Sequence, residues 1–303
     1  MKTMPSVAFV KPNLRIIPRL DIKGRNLVKG IHLEGLRVLG KPERFARHYY
    51  EQGADELLYV DIVATLYERN NLLDLIERTA SEIFIPLTVG GGLRTIDDIR
   101  STLRAGADKV AINTAAVRCP GFLREAARKF GSSTVVLSIE AIQQPDGHYE
   151  AYTDNGRERT GMDAFEWAMR GVELGAGEVL VTSVDREGTG LGFDLELSRR
   201  MAELVPVPVI ACGGGATVEH VKQVATLAQV QAVGIASILH YNFVRQINPD
   251  GKYFGDFETR LLRTATISSK FEDLSLAILK RELDARGVNC RSLPVPGAEE
   301  VLR

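Results

Sequence analysis

Apolar residues in this chain arrive in two formats that alternate along its length. Short unbroken runs come first: Leu14 to Ile22, Leu57 to Ile62, Ile85 to Val89, Lys109 to Ile112, Thr134 to Ala141, Glu178 to Val184, Pro208 to Cys212 and Gln231 to Ile235. Between them lie stretches with helical spacing, such as residues 71–83, where Leu72, Leu73, Ile76 and Ala80 share one face. The pattern predicts further helices over Pro42 to Gln52 (stopped by Gly53), Ile96 to Arg104, Pro120 to Phe130, Asp163 to Glu173, Leu195 to Leu204 and Phe271 to Ala285. Strands that are apolar throughout are buried on both faces, as in an all-parallel sheet. Eight strand-then-helix units therefore predict a (β/α)8 TIM barrel over residues 14–291. An open doubly wound sheet would carry one dominant nucleotide loop, and no GxGxxG follows the first strand.

Three segments depart from the beat. Asn26 to Gly30 reads as a hairpin-like return, and residues 142–160 as a small hairpin around an Asp-Gly turn. Residues 244–270 read as an insertion before the last helix. Outside the barrel, residues 1–13 lack periodicity and read as a flexible arm, and 292–303 as a tail.

The chain also repeats itself. Thr88-Val89-Gly90-Gly91-Gly92, followed by a helix and Val110-Ala111-Ile112-Asn113-Thr114, returns as Ile210-Ala211-Cys212-Gly213-Gly214-Gly215 followed by Val233-Gly234-Ile235-Ala236-Ser237. The copies lie about 120 residues apart, near half a large barrel, so the barrel reads as two half-barrel repeats. Glycines after a strand let backbone N–H groups close on a ligand oxygen, and two such loops suit a substrate with a phosphate at each end. A single glycine run could equally be a bare strand-to-helix turn; duplication at matched positions favours the phosphate reading.

Composition narrows the classes. A net charge of −1 over 303 residues argues against a nucleic-acid or membrane surface. Cys119, Cys212 and Cys290 have neither paired nor metal-like spacing, and the five histidines are scattered, so no metal and no cofactor are expected. With no signal-like or membrane-spanning run, the expectation is a cytoplasmic protein.

Carboxylates stand at strand ends: Asp21, Asp61, Glu140, Asp185 and Glu187. There desolvation can bring a carboxyl toward neutrality for proton transfer. Asp21 and Glu140 close the first strands of the two halves and are expected to face each other across the mouth, although any one strand-end acid can simply cap a loop or pair with Lys23 or Lys29. Four other charges, Arg15, Glu56, Lys109 and Glu178, sit at strand starts, hence at the opposite mouth, where they could form a salt-bridged plug.

Taken together, Arg15-Ile-Ile-Pro-Arg-Leu-Asp21, Leu27-Val-Lys29-Gly, Asp55-Glu56-Leu, Thr88-Val-Gly-Gly-Gly92, Ala107-Asp108-Lys109-Val, Ile112-Asn-Thr-Ala-Ala116, Thr182-Ser-Val-Asp-Arg-Glu-Gly-Thr189 and Gly287-Val-Asn289 resemble the cyclase subunit of imidazole glycerol phosphate synthase, the HisF family of histidine biosynthesis. The resemblance implies a glutaminase partner at the N-terminal face and ammonia passing through the barrel. There it meets a bisphosphorylated ribonucleotide and yields imidazole glycerol phosphate and an aminoimidazole carboxamide ribotide. It implies Asp21 and Glu140 as the acid–base pair, and Arg15, Glu56, Lys109 and Glu178 as the ammonia gate, with Asp108 as a partner-facing acid beside it. The expected substrate and phosphate set is Lys29, Asp61, Gly91, Gly92, Asn113, Thr114, Thr182, Glu187, Gly188, Gly213, Gly214, Ala236 and Ser237.

The chain departs from the family's pattern at several of these places. Arg19 stands for a cysteine, Glu140 and Glu187 each for an aspartate, Ser133 for an interface glutamine, and Gly213-Gly-Gly-Ala216 for Gly-Gly-Ala-Gly. Two alternatives therefore stand beside the cyclase: a paralogue that aminates another acceptor, such as a surface sugar, and a non-catalytic scaffold that activates a glutaminase.

Overall fold

The unbroken apolar runs are explained by a closed barrel, in which every strand has the lumen on one side and helices on the other. The structure, a computed structural model, describes residues 13–63, 72–247 and 270–291. β1 (Arg15–Lys23) leads into an antiparallel hairpin of β2 (Asn26–Ile31) and β3 (Glu34–Gly40). β4 (Leu57–Asp61), β5 (Leu87–Gly90), β6 (Lys109–Ile112) and β7 (Val135–Gln143) follow. A second hairpin, β8 (Tyr149–Thr153) and β9 (Glu158–Asp163), pairs antiparallel with the end of β7. β10 (Glu178–Ser183), β11 (Val209–Cys212) and β12 (Ala232–Ile235) complete the set. The eight parallel strands run in the order β1-β4-β5-β6-β7-β10-β11-β12, and β12 returns to pair with β1 through Arg15–Ala232 and Ile17–Gly234.

The two faces of the strands divide the core. Ile17, Leu58, Ala111, Val136, Leu180, Ile210 and Ala232 pack together inside the lumen. Their chain neighbours Ile16, Leu57, Val110, Leu137, Val179 and Val233 pack outward with the helices. Along β1 this alternation turns Arg15, Ile17, Arg19 and Asp21 toward the lumen.

The helices start where the sequence supplies caps. Thr95 and Asp98 form a reciprocal capping box before Ile96–Arg104, and Asp163, Asp194, Thr217 and Ser275 cap the helices that follow them. Gly53, with φ 83°, ends Pro42–Glu51 as expected. Each half opens the same way, with a long strand running straight into a hairpin above the C-terminal mouth. The hairpins meet there, where Asn155 Nδ2 donates to Leu33 O at 3.1 Å, and the first hairpin is also held to the loop after β10, where His32 Nδ1 donates to Val184 O at 2.9 Å.

The last helix differs from its prediction. It is Leu276–Ala285 and starts at the Ser275 cap, while Phe271 packs edge-on against Tyr241. Glu272 N donates to Ala216 O at 3.0 Å and Glu272 Oε2 accepts from Val218 N at 3.0 Å, which holds this segment in a turn. The start of the expected insertion, 244–247, is the end of the helix Ser237–Ile247. The remainder of that insertion, most of the expected arm and the expected tail lie outside the described residues.

Candidate functional site

Four layers succeed one another along the lumen. At the N-terminal end the four strand-start charges form a closed ring of alternating sign. Arg15 Nη1 and Lys109 Nζ each lie 2.9 Å from Glu56 Oε2, Lys109 Nζ lies 2.9 Å from Glu178 Oε2, and Arg15 also pairs with Glu178. Thr88 Oγ1 donates to the second oxygen of Glu56. Glu56 is only 2% exposed, so the ring is a plug with its acids inside and its cations toward solvent. Asp108 is exposed on the same face and accepts from Leu87 N at 2.8 Å.

Above the ring is the apolar layer of Ile17, Leu58, Ala111, Val136, Leu180, Ile210 and Ala232. It offers no hydrogen bond to an ion, whereas a small neutral molecule crosses such a layer at little desolvation cost.

The third layer holds the carboxylates. Asp21 is buried; Oδ1 accepts from Arg19 Nε at 2.8 Å, and Oδ2 lies 3.5 Å from Lys29 Nζ. Burial alone would push the Asp21 carboxyl upward, but Arg19 and Lys29 outweigh it and hold the carboxyl below its ordinary value. Lys29 Nζ pairs also with Glu187. Glu140 is the opposite case. It keeps part of its surface open to the cavity described next, yet lies deep enough for desolvation to dominate and raise its carboxyl to about 7. The Gly156 N–H, donating to Oε2 at 2.8 Å, and Arg19 pull the other way, while Asp154 and Asp21 push it up. One carboxyl is thus held ionised and the other kept near neutrality, the separation an acid–base pair needs.

The fourth layer is a pair of glycine cradles, and the predicted phosphate residues sort between them. A cavity of about 380 Å³ is lined by Asp61, Gly91, Gly92, Asn113, Thr114 and Glu140. A tighter niche of about 10 Å³ is lined by Glu187, Gly188, Gly213, Gly214, Ala236 and Ser237, with Arg19 at its floor and Phe271 at its rim. Asp21, Lys29 and Thr182 line neither and lie buried.

The glycines are there because neighbouring backbone leaves no room. A Cβ on Gly91, where φ is 91°, would fall 2.2 Å from Asp61 O, and one on Gly213, where φ is 101°, 2.6 Å from Ser183 O. Asp61 ends β4 and Ser183 ends β10, so the two cradles are the same device at matched places in the two halves. The shifted third glycine also has a cause. A Cβ on Gly215 would lie 2.8 Å from the Phe193 ring, so the alanine expected there does not fit.

Sequence reasoning missed several residues of the first cavity: Arg94, Arg118, Ser138, Asp154 and Asn155. Arg94 lies two residues after the glycine run, and Ser138 shares the lumen-facing parity of Glu140, so both carried a signal. The hairpin residues carried none, because nothing local tells which way a hairpin folds. His240, fully buried, was also missed. Its Nε2 donates to Arg19 O at 3.0 Å and its Nδ1 accepts from Tyr49 Oη at 2.6 Å, and burial lowers the ring to about 3. Burial likewise raises the Cys212 thiol to about 11. Among the described residues no cluster of three or more His, Cys, Asp or Glu could hold a metal, and no helix is long and apolar enough to cross a membrane.

A closed (β/α)8 barrel with two glycine loops and two differently tuned carboxyls at its C-terminal mouth has the architecture of a barrel enzyme. The chain belongs to the histidine biosynthesis protein family, whose profile matches residues 15–245. It is 58% identical over 208 residues to an imidazole glycerol phosphate synthase subunit HisF of Legionella pneumophila, covering 69% of this chain and 98% of the relative. It is 46% identical over 230 residues to the protein of the same name from Alkaliphilus metalliredigens (strain QYMF), covering 76% and 91%.

Proposed function

We propose that this protein is the cyclase subunit of an imidazole glycerol phosphate synthase. It takes ammonia released by a glutaminase subunit and uses it to convert a bisphosphorylated ribonucleotide into imidazole glycerol phosphate and an aminoimidazole carboxamide ribotide. The observation that carries the reading is the order of layers along one axis: charged ring, apolar lumen, unequal carboxyls, paired cradles. Each layer suits one requirement of the reaction. The ring and the exposed Asp108 make the N-terminal face the docking side for the glutaminase, and the apolar layer passes neutral ammonia but not ions. The cradles bind the two phosphates through backbone N–H groups and the Thr114 and Ser237 hydroxyls. Asp21, held ionised, accepts a proton from the attacking nitrogen, and Glu140 supplies one as oxygen leaves as water. Bound phosphates nearby raise Glu140 further and so favour its acid form. Such an enzyme works in the cytoplasm.

The test is turnover of the bisphosphorylated ribonucleotide by purified protein with excess ammonium salt, followed by loss of substrate absorbance. Turnover abolished by Asp21→Asn supports the reading. No turnover, either with ammonium salt or with a glutaminase, sinks it. In that case an enzyme acting on another acceptor, or a glutaminase-activating scaffold, takes its place. Rescue of a histidine auxotroph is the cellular version.

A further inference from the structure

Arg19 lines the second niche, but its guanidinium is committed elsewhere, to partners deeper in the lumen. It stands on β1 between Ile17 of the apolar layer and Asp21, and only 3% of its surface is exposed. Its guanidinium crosses from β1 toward β10, two strands beyond its neighbour β12 in the ring. Nε donates to Asp21 Oδ1 at 2.8 Å and Nη1 donates to Thr182 Oγ1 at 2.9 Å. An arginine fork held at two points has its orientation fixed, which a lone ammonium would not. Lys29, the other cation near Asp21, is shared with Glu187 and approaches the other oxygen only to 3.5 Å.

We propose that Arg19 is a positioning residue for the reaction at the barrel mouth: braced on Thr182, it clamps one oxygen of the Asp21 carboxylate and leaves the other, Oδ2, to act on substrate. The proposal rests on the reading of Asp21 as catalytic. The clamp does two things at once, aiming the carboxylate and stabilising its charge against burial. The remaining charged and titratable groups around Asp21 come from every side. They are Lys29 on β2, Glu140 on β7, Glu187 after β10, Cys212 on β11 and His240 on the helix Ser237–Ile247. Of these, Lys29 joins Arg19 in favouring the ionised form of Asp21, and burial opposes both. Removing Arg19 therefore moves Asp21 toward protonation.

The experiment compares wild type, Arg19→Met, Arg19→Lys and Asp21→Asn in ammonium-dependent turnover of the bisphosphorylated ribonucleotide, with kcat and KM measured separately at about pH 8 and fixed free ammonia. Arg19→Met is expected to lower kcat about tenfold or more and to leave KM within about twofold. Arg19→Lys restores the charge without the fork and is expected to recover only part of kcat. An unchanged kcat in Arg19→Met, a loss confined to KM, or full recovery in Arg19→Lys overturns the proposal. Turnover retained in Asp21→Asn overturns the underlying reading instead, so the two failures are distinct. If Arg19→Met does not fold, Thr182→Val keeps every charge and removes only the brace. It is expected to lower kcat with KM within about twofold, and an unchanged kcat overturns the clamp.

Discussion

Shortening Glu140 by one methylene tests whether this glutamate is held in a working position or merely tolerated. Glu140→Asp withdraws the carboxylate by about 1.5 Å along the side chain. The contact at stake is the one from Gly156 N to Oε2, 2.8 Å long, and the withdrawal stretches it to about 4 Å, beyond hydrogen-bonding reach. A hydrogen bond to a charged carboxylate contributes about 1.5–3 kcal/mol, and a shift of about 1 Å in a catalytic group costs on the order of a hundredfold in rate. The expected fall in kcat is therefore about tenfold to a hundredfold. KM should change less than kcat, because Glu140 is one side chain among many lining the cavity and its loss of reach bears on a single contact. The pH profile gives an independent reading. The Gly156 N–H holds the Glu140 carboxyl down, so losing it moves the basic limb of kcat upward, against the slightly lower ordinary value of aspartate. The assay is kcat against pH with ammonium salt at fixed free ammonia. A variant that is faster than wild type, or whose basic limb moves down, would refute the idea that the Gly156 contact positions this acid.

Three further outcomes are expected. Lys109→Met leaves Glu56 and Glu178 with Arg15 as their only ring partner. Urea unfolding should show a loss on the order of 3 kcal/mol, and with a glutaminase present, turnover on glutamine should fall further than turnover on ammonium salt. Gly91→Ala forces a Cβ to within 2.2 Å of Asp61 O at a φ of 91°, so it should cost about 1–3 kcal/mol in thermal unfolding and raise KM for the bisphosphorylated substrate, with ammonium-saturated kcat much less affected. His240 is kept neutral in the folded protein, with its value lowered to about 3, while the unfolded chain takes up a proton near pH 6.5. Its contribution to stability is therefore complete above pH 6.5 and is lost as pH falls toward 3, amounting to about 2 kcal/mol by pH 5. His240→Gln should flatten that slope in urea titrations at pH 7.5 and pH 5, and an equally steep slope in the variant would rule the assignment out.

How far the sequence speaks depends on whether the information is local. The barrel is legible because each strand reports burial on both faces and several helices report their caps within a few residues, as Thr95 with Asp98 does. The charged ring is legible too: a charge at the head of a buried strand can only lie at the N-terminal mouth, and four such charges of mixed sign will pair. The facing of Arg19 was also available, since it shares parity with Arg15 and Asp21 on β1. What it touches was not, because Thr182 is on a different strand and contributes a hydroxyl that nothing nearby in the chain announces. Phe271 misled for the same reason. Its apolar character fits a helix, but the helix waits for Ser275, and Phe271 is spent on Tyr241 and on the rim of the second cradle. The shift from alanine to glycine at Gly215 looked like drift until Phe193 was seen against it.

The meeting of the two hairpins above the mouth bears on traffic rather than on chemistry. The span between the hairpins is one neutral hydrogen bond, Asn155 Nδ2 to Leu33 O, with an exposed ion pair, Arg157 to Glu34 at 4.0 Å, beside it, while the first hairpin is tied down more firmly, by His32 Nδ1 to Val184 O and by His32 N to Glu187 O at 2.8 Å. A neutral bond contributes about 1 kcal/mol and an exposed pair less, so the span opens at a cost of only about a factor of ten in population. The first hairpin is therefore fastened to the second half of the barrel and only loosely latched to the other hairpin. Traffic in and out is gated by the weaker fastening, and its rate should respond to Asn155 long before it responds to His32.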